Sequence, residues 1–144
     1  MIRQQAGYTL VELIISLSVM AVLATLALTS YSQYSQRAGI STGLALTAPL
    51  KFSIHEYYLK NNQFPESNQQ AGLHPASSYN NSHVREISIS ADPAPGTINI
   101  IYKGDRAISE GDTLLLIPSV SASSVHWRCA SFTLLGSLLP ANCR

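Results

Sequence analysis

Charge is what this sequence has least of. Only 12% of its 144 residues are Asp, Glu, Lys or Arg, against roughly 25% in an ordinary soluble domain. The net charge is +1 and 46% of the residues are hydrophobic. That composition excludes an intrinsically disordered chain, which combines few apolar residues with high net charge. It also gives no sign of a strongly basic nucleic-acid binder. The two cysteines are too few for a disulfide-rich miniprotein or a four-Cys zinc site. Eight glycines and seven prolines follow no period, which excludes a collagen-like repeat. The four histidines, His55, His74, His83 and His126, make no His-x-x-x-His pair. His55-Glu56 lacks the second His that a zinc-protease helix needs, no Gly-rich loop follows a strand, and Gly-x-Ser-x-Gly is missing. On these grounds no enzyme, no cofactor and no metal site is expected.

The apolar residues, by contrast, are concentrated. The 21 residues from Tyr8 to Leu28 carry one charge, Glu12. As a helix this run spans about 31 Å, the thickness of a bilayer's hydrocarbon core at about 30 Å. The remaining residues, about 115 of them, suffice for one modest core. A short segment of seven residues, Met1 to Gly7, precedes the run, with one charge, Arg3. In a secretory signal the small-residue cleavage site follows the apolar stretch; here Gly7 comes before it. Arg3 on the near side, and no other basic residue until Arg37, place the N-terminus in the cytoplasm by the positive-inside bias. Residues beyond Leu28 are then expected outside the inner membrane. Glu12 is costly inside hydrocarbon, where ionisable groups are usually paired. Either it sits shallowly and faces water, or it awaits a cation from another chain. A newly exposed N-terminal amine is the candidate for that cation.

Gly7-Tyr8-Thr9-Leu10-Val11-Glu12-Leu13-Ile14 resembles the processing motif of type IV pilins. The short basic leader, the Gly, the Glu five residues on and the apolar run agree together. The resemblance implies cleavage between Gly7 and Tyr8 by a prepilin peptidase, methylation of the Tyr8 amine, and an assembly role for Glu12. The short leader is similar to that of the type IVa class. Tyr8 stands where Phe is usual, and Thr29 where many relatives carry Pro.

Past the membrane run, Leu44, Ala48, Phe52, His55 and Leu59 recur at spacings of four, four, three and four, one helix stripe. Tyr31, Tyr34 and Ala38 extend it backwards. The pattern predicts one helix from Tyr8 to about Lys60, with this stripe buried against a sheet. Pro49 removes a backbone donor and is expected to bend it. Tyr31 and Tyr34 resemble a paired-Tyr feature of pilins and equally suit anchoring at the bilayer edge. Glu66 to Ser82, rich in Ser, Asn, Gln, Gly and Pro, reads as a surface loop. Asn80-Asn81-Ser82 fits a glycosylation sequon, as so short a motif does by chance.

Strand signals follow around Ile87–Ile89, Thr97–Tyr102, Thr113–Ile117 (stopped by Pro118) and Val125–Cys129, with turn residues between them. Four antiparallel strands on a long helix make an α+β domain; the resemblance implies that it is the type IV pilin-like fold. The organisation expected is a leader at 1–7, a transmembrane and filament-core helix at 8–29, an amphipathic helix at 30–60, a connecting loop at 61–83 and a sheet region at 84–144. Cys129 and Cys143 are expected to pair, the default outside the cytoplasm; two free thiols or half a metal site is the rival. Trp127-Arg128-Cys129 through Asn142-Cys143-Arg144 also resembles the C-terminal disulfide-bounded region of type IVa pilins.

The function implied is a structural pilus subunit. It polymerises into an extracellular filament used for adhesion, twitching motility or DNA uptake. The assembly ATPase, the inner-membrane platform and an outer-membrane secretin are the partners the resemblance implies. Rival readings are a minor pilin, a type II secretion pseudopilin, a pilin-like receptor for DNA or host surfaces, and a membrane-anchored domain with no filament role. The paired cysteines favour a true pilin over a major pseudopilin. The basic residues after the leader, Arg37, Lys51, Lys60, Arg85, Lys103, Arg106, Arg128 and Arg144, are scattered along the chain, so nucleic-acid binding is not expected.

Overall fold

The computed structural model describes residues 7–105, 108–121 and 124–144. The expectations on Arg3, on the other leader residues before Gly7 and on Arg106 fall outside them. Two compact units divide the chain, Met1–Tyr34 and Ser35–Arg144. One helix, α1 (Leu10–Asn61), contributes to both. Its first part is apolar all round, with no residue of the best membrane-length window buried. The hydroxyls in this part turn inward on their own backbone. Ser16 donates to the Glu12 carbonyl, Ser18 to Ile14, Thr25 to Val22 and Thr29 to Leu26. Such back-bonding satisfies each hydroxyl locally, which suits a segment without water around it. With Thr29 in place of Pro, the helical assignment runs on without interruption.

In the second unit α1 buries Gln36, Gly39, Ile40, Gly43, Thr47, Leu50 and Ile54. This is not the stripe expected from the sequence. Phe52 and Leu59 are each 64% exposed, and Ala38 and Ala48 are exposed too. At about 100° per residue the observed stripe lies roughly a third of a turn from the expected one. The cause is contact distance. Glycines and a threonine take places on the face toward the sheet, beside Ile40, Leu50 and Ile54, because a large side chain comes from the sheet side. Tyr102 is fully buried, and its hydroxyl donates to the Ile40 carbonyl at 3.0 Å. A Cβ on Gly43 would stand 2.5 Å from that hydroxyl oxygen, so only glycine admits the ring. The helical assignment also continues through Pro49 to Asn61. Position 49 is exposed, on the side away from the sheet, where a missing donor leaves no buried group unpaired.

The sheet is a meander of β1 (Val84–Ser90), β2 (Thr97–Tyr102), β3 (Thr113–Ser121) and β4 (Ser124–Ala130), each antiparallel to the next. Alternation supplies one core face: Ile87 and Ile89, Ile98, Ile100 and Tyr102, then Leu114 and Leu116. A register shift between Val84 and Glu86 brings Val84 onto the same face, although it is an odd number of residues from Ile87. β3 does not stop at Pro118 as expected. It runs on to Ser121, with Pro118 opposite Trp127. Pairing with β2 ends at Leu116, so Pro118 sits where β3 has a neighbour on one side only, a place a strand proline tolerates. β4 is the least buried strand; its Trp127 packs against the core and lies under Lys51 Nζ, 5.5 Å from the ring centroid.

The connection from α1 to β1 is a loop with a 3-10 turn at Ala76–Tyr79. It is tied to the free edge of β1 by asparagines. Asn68 donates to the Ile87 carbonyl at 3.1 Å and accepts from the Ile89 amide at 2.6 Å. Asn80 donates to the Arg85 carbonyl at 3.2 Å. These side chains occupy the positions an additional strand would take, and so cover an edge otherwise open to edge-to-edge pairing.

Candidate assembly site

Gly7, Tyr8 and Thr9 lie ahead of the helix, and α1 starts at Leu10, two residues later than expected. The reason is a capping arrangement. The Glu12 amide donates to Thr9 Oγ1 at 3.3 Å, and the Thr9 amide donates to Glu12 Oε2 at 3.0 Å. Thr9 Oγ1 also donates to Oε2, at 3.0 Å. Thr9 is therefore the N-cap and Glu12 the third helical residue of a reciprocal capping box. Sequence reasoning singled out Glu12 but missed Thr9, although Thr-x-x-Glu before an apolar run is its signature. Both described contacts of the carboxylate use Oε2, and Oε1 has no partner among the described residues. The segment is exposed throughout, with Tyr8 at 85% and Leu10 at 74%.

At the other end of the chain Cys129 and Cys143 are joined, 14 residues apart. The bridge ties β4 to a segment whose Leu134, Leu138 and Leu139 enter the core, with Cys143 itself buried. Ser131 and Thr133 fasten the same segment to β3: Ser131 donates to the Thr113 carbonyl, and Thr133 accepts from the Thr113 amide. Among the described residues no three His, Cys, Asp or Glu side chains gather as a metal site would require.

Residues 2–28 match the prokaryotic N-terminal methylation motif, and residues 36–144 match the family described as pilin, a bacterial filament. The chain belongs to the type IV pilin family. Similar proteins include the type IV major pilin protein PilE1 of Neisseria gonorrhoeae, 32% identical over 87% of this chain and 69% of the relative. A second gonococcal type IV major pilin protein, PilE, is 31% identical over 87% of this chain and 74% of the relative. A fimbrial protein of Neisseria meningitidis serogroup B is 30% identical over 87% and 72% respectively. This pilin is a structural subunit of a pilus. Its apolar helix and its family mark a membrane-anchored precursor of an extracellular filament of like subunits, and the methylation motif marks a processed N-terminus. The relatives are major pilins and fimbrial proteins, which favours none of the rival readings.

Proposed function

We propose that this pilin is cleaved between Gly7 and Tyr8, methylated on the Tyr8 amine, and polymerised through Tyr8–Thr29. The observation that carries this reading is the apolar run itself. Leu10, Val11, Leu13, Ile14, Ile15, Leu17, Val19, Met20, Val22, Leu23, Leu26 and Leu28 are all more than half exposed. A surface of that kind requires lipid or protein around it. In the inner membrane of a Gram-negative cell it is lipid; in the filament it is the same segment of neighbouring subunits. Exchanging lipid for helices brings no large hydrophobic gain, so packing and polar pairing must fix the register.

Glu12 suits that task. One oxygen holds the cap on Thr9, and the other is available to the amine of an incoming subunit. Residues 30–60 and the sheet region 84–144 form the outer part of the filament, joined by the loop at 61–83, while 1–7 is removed. Phe52 and Leu59, exposed on α1, are apolar area for contact with neighbouring subunits. Prepilin peptidase, the assembly ATPase, the platform and a secretin are the partners this reading requires.

The test is intact-mass analysis of sheared surface material, joined to electron microscopy of a deletion strain. A chain starting at methylated Tyr8, and loss of all filaments on deletion, is the expected result. A surface chain that still carries Met1, or that begins after Ala24 or Ala27, would overturn the reading. Gly7→Val should block processing, because a branched side chain crowds the scissile bond.

A further inference from the structure

We infer that Phe132 and Leu135 of one subunit seat in a cleft beside β1 of a second copy of this chain, joining the globular parts side by side in the filament. The inference rests on the polymerisation proposed above. Phe132 is 87% exposed and Leu135 58%, so both apolar side chains stand clear of the fold. Leu134, between them, goes the other way, into the core. The segment that presents the pair is fastened at several points. Ser131 Oγ donates to the Thr113 carbonyl at 2.7 Å and accepts from the Leu134 amide at 3.1 Å. Thr133 Oγ1 accepts from the Thr113 amide at 2.9 Å. The Cys129–Cys143 bridge closes the segment. An apolar pair held out on a fastened segment has little freedom left to lose on docking.

The cleft, of about 540 Å³, lies at the opposite edge of the sheet. Its walls include Leu73, Pro75 and Ala76 from the loop after α1, and Ser88 and Ile89 from β1. Asn68 sets their spacing: besides its two bonds to β1, its Nδ2 donates to the His74 carbonyl at 3.0 Å. The described side chains that line the cleft are uncharged, and no charged residue lies between Arg128 and Arg144. Neither surface has a charge to desolvate, so an apolar occupant suits the cleft. Position decides where that occupant comes from. Ser88 pairs with Asn99, Asn99 with Leu115 and Leu115 with Ala130. That row crosses the whole sheet, three strand spacings or about 14 Å. The cleft lies at its β1 end, and Phe132 lies two residues past its β4 end. A subunit therefore cannot fill its own cleft, but a neighbour set beside it can. A knob on one edge and a socket on the other make a heterologous contact. Such a contact propagates from copy to copy, where a two-fold contact would stop at a pair. The family to which the chain belongs is one of filament proteins, so further copies are at hand.

Cysteine cross-linking of intact sheared filaments tests the contact. Phe132→Cys and Ala76→Cys are introduced together and singly in the full-length chain, whose own two cysteines are bonded to each other. After mild oxidation and non-reducing denaturing electrophoresis, the double variant should give a ladder of dimers, trimers and longer species. Each single variant should run as monomer. Filaments of the double variant without a ladder overturn the inference. So does a dimer from Phe132→Cys alone, which would set like residues against each other. Filament yield is the second readout, and it decides alone should the double variant build no filaments. Position 132 is exposed, so truncation there leaves the core intact. Phe132→Ala should lower surface filament yield about ten-fold, as losing the burial of one large apolar side chain does, with membrane level and processing unchanged. Phe132→Leu, which keeps apolar bulk, should recover most of that yield. Unchanged yield in Phe132→Ala, or equal loss in both variants, overturns the inference. Normal filaments without the ladder remove this contact and leave the polymerisation standing, whereas wild-type surface filaments that lack this chain would overturn the polymerisation itself.

Discussion

Gly43 and Tyr102 show how one residue without a side chain holds a large one in place. A Cβ at position 43 would lie 2.9 Å from the Tyr102 ring as well as 2.5 Å from its oxygen, and the ring has nowhere to go. Gly43→Ala should therefore destabilise the folded unit by about 1–3 kcal/mol, the usual cost of overpacking, although alanine gains up to about 1 kcal/mol of helix propensity. Chemical denaturation measures the net loss. Gly39→Ala should cost less, because its Cβ would meet the His83 ring at 3.1 Å and His83 is only partly buried. Tyr102 also carries a pH prediction. Burial pushes its phenol well above its ordinary pKa near 10. A group whose folded pKa is raised contributes stability in full below its unfolded pKa and loses it as pH rises above that value. Stability should therefore fall above about pH 10, where the unfolded chain gives up a proton that the folded chain keeps. Tyr102→Phe should flatten this slope, as followed by urea denaturation at several alkaline pH values. An unchanged slope in the variant would assign it to other groups.

The elements were unequally legible from the sequence. Long apolar runs and alternation announced α1 and all four strands, because helix and strand periods are properties of the chain alone. The buried face of α1 was not legible. Its residues are glycine, threonine and glutamine as much as isoleucine and leucine, and what qualifies them is the bulk of Tyr102 and the isoleucines opposite. A periodicity search rewards large apolar residues, and so settled on Leu44, Phe52 and Leu59. The continuation of β3 through Pro118 was hidden for a similar reason, since how far β3 outruns the start of β2 is a matter of partner length. Asn68 was hidden too, as its bonds reach 19 and 21 residues along the chain. The cysteines, by contrast, needed only pairing by default. Their bridge closes a short loop at the edge strand, and its removal should cost about 2–5 kcal/mol, the range for a small secreted domain. Cys129→Ser should lower the denaturation midpoint accordingly. Alkylation should find two thiols only after reduction; two reactive thiols in the native protein would refute the bridge.

For the whole molecule the question is how a subunit bearing an exposed apolar helix chooses one register among many. Packing of like apolar surfaces discriminates poorly between axial positions, whereas a charge pair in apolar surroundings discriminates strongly. Leaving one buried charge without its partner typically costs about 3–5 kcal/mol. Glu12 can provide the pair, yet it also closes the capping box with Thr9, so a single substitution such as Glu12→Val confuses two roles. Two other changes separate them. Glu12→Gln keeps an oxygen for the Thr9 amide, and glutamine is an accepted member of a capping box, but it carries no charge. Thr9→Ala keeps the charge and removes the cap, at about 0.5–2 kcal/mol of helix stability. If the charge sets the register, Glu12→Gln should reach the membrane and match the wild type in processing, and should then fail to build filaments or build them much more slowly. Thr9→Ala should still assemble, from a more frayed first turn. The measurements are membrane level, intact mass and filament count, scored separately for each variant. Filaments lost in Thr9→Ala but normal in Glu12→Gln would reverse the assignment and make Glu12 a cap alone. Reduced membrane levels in Glu12→Gln would place its role before assembly, since a neutral side chain is cheaper to insert than a carboxylate and should not hinder entry.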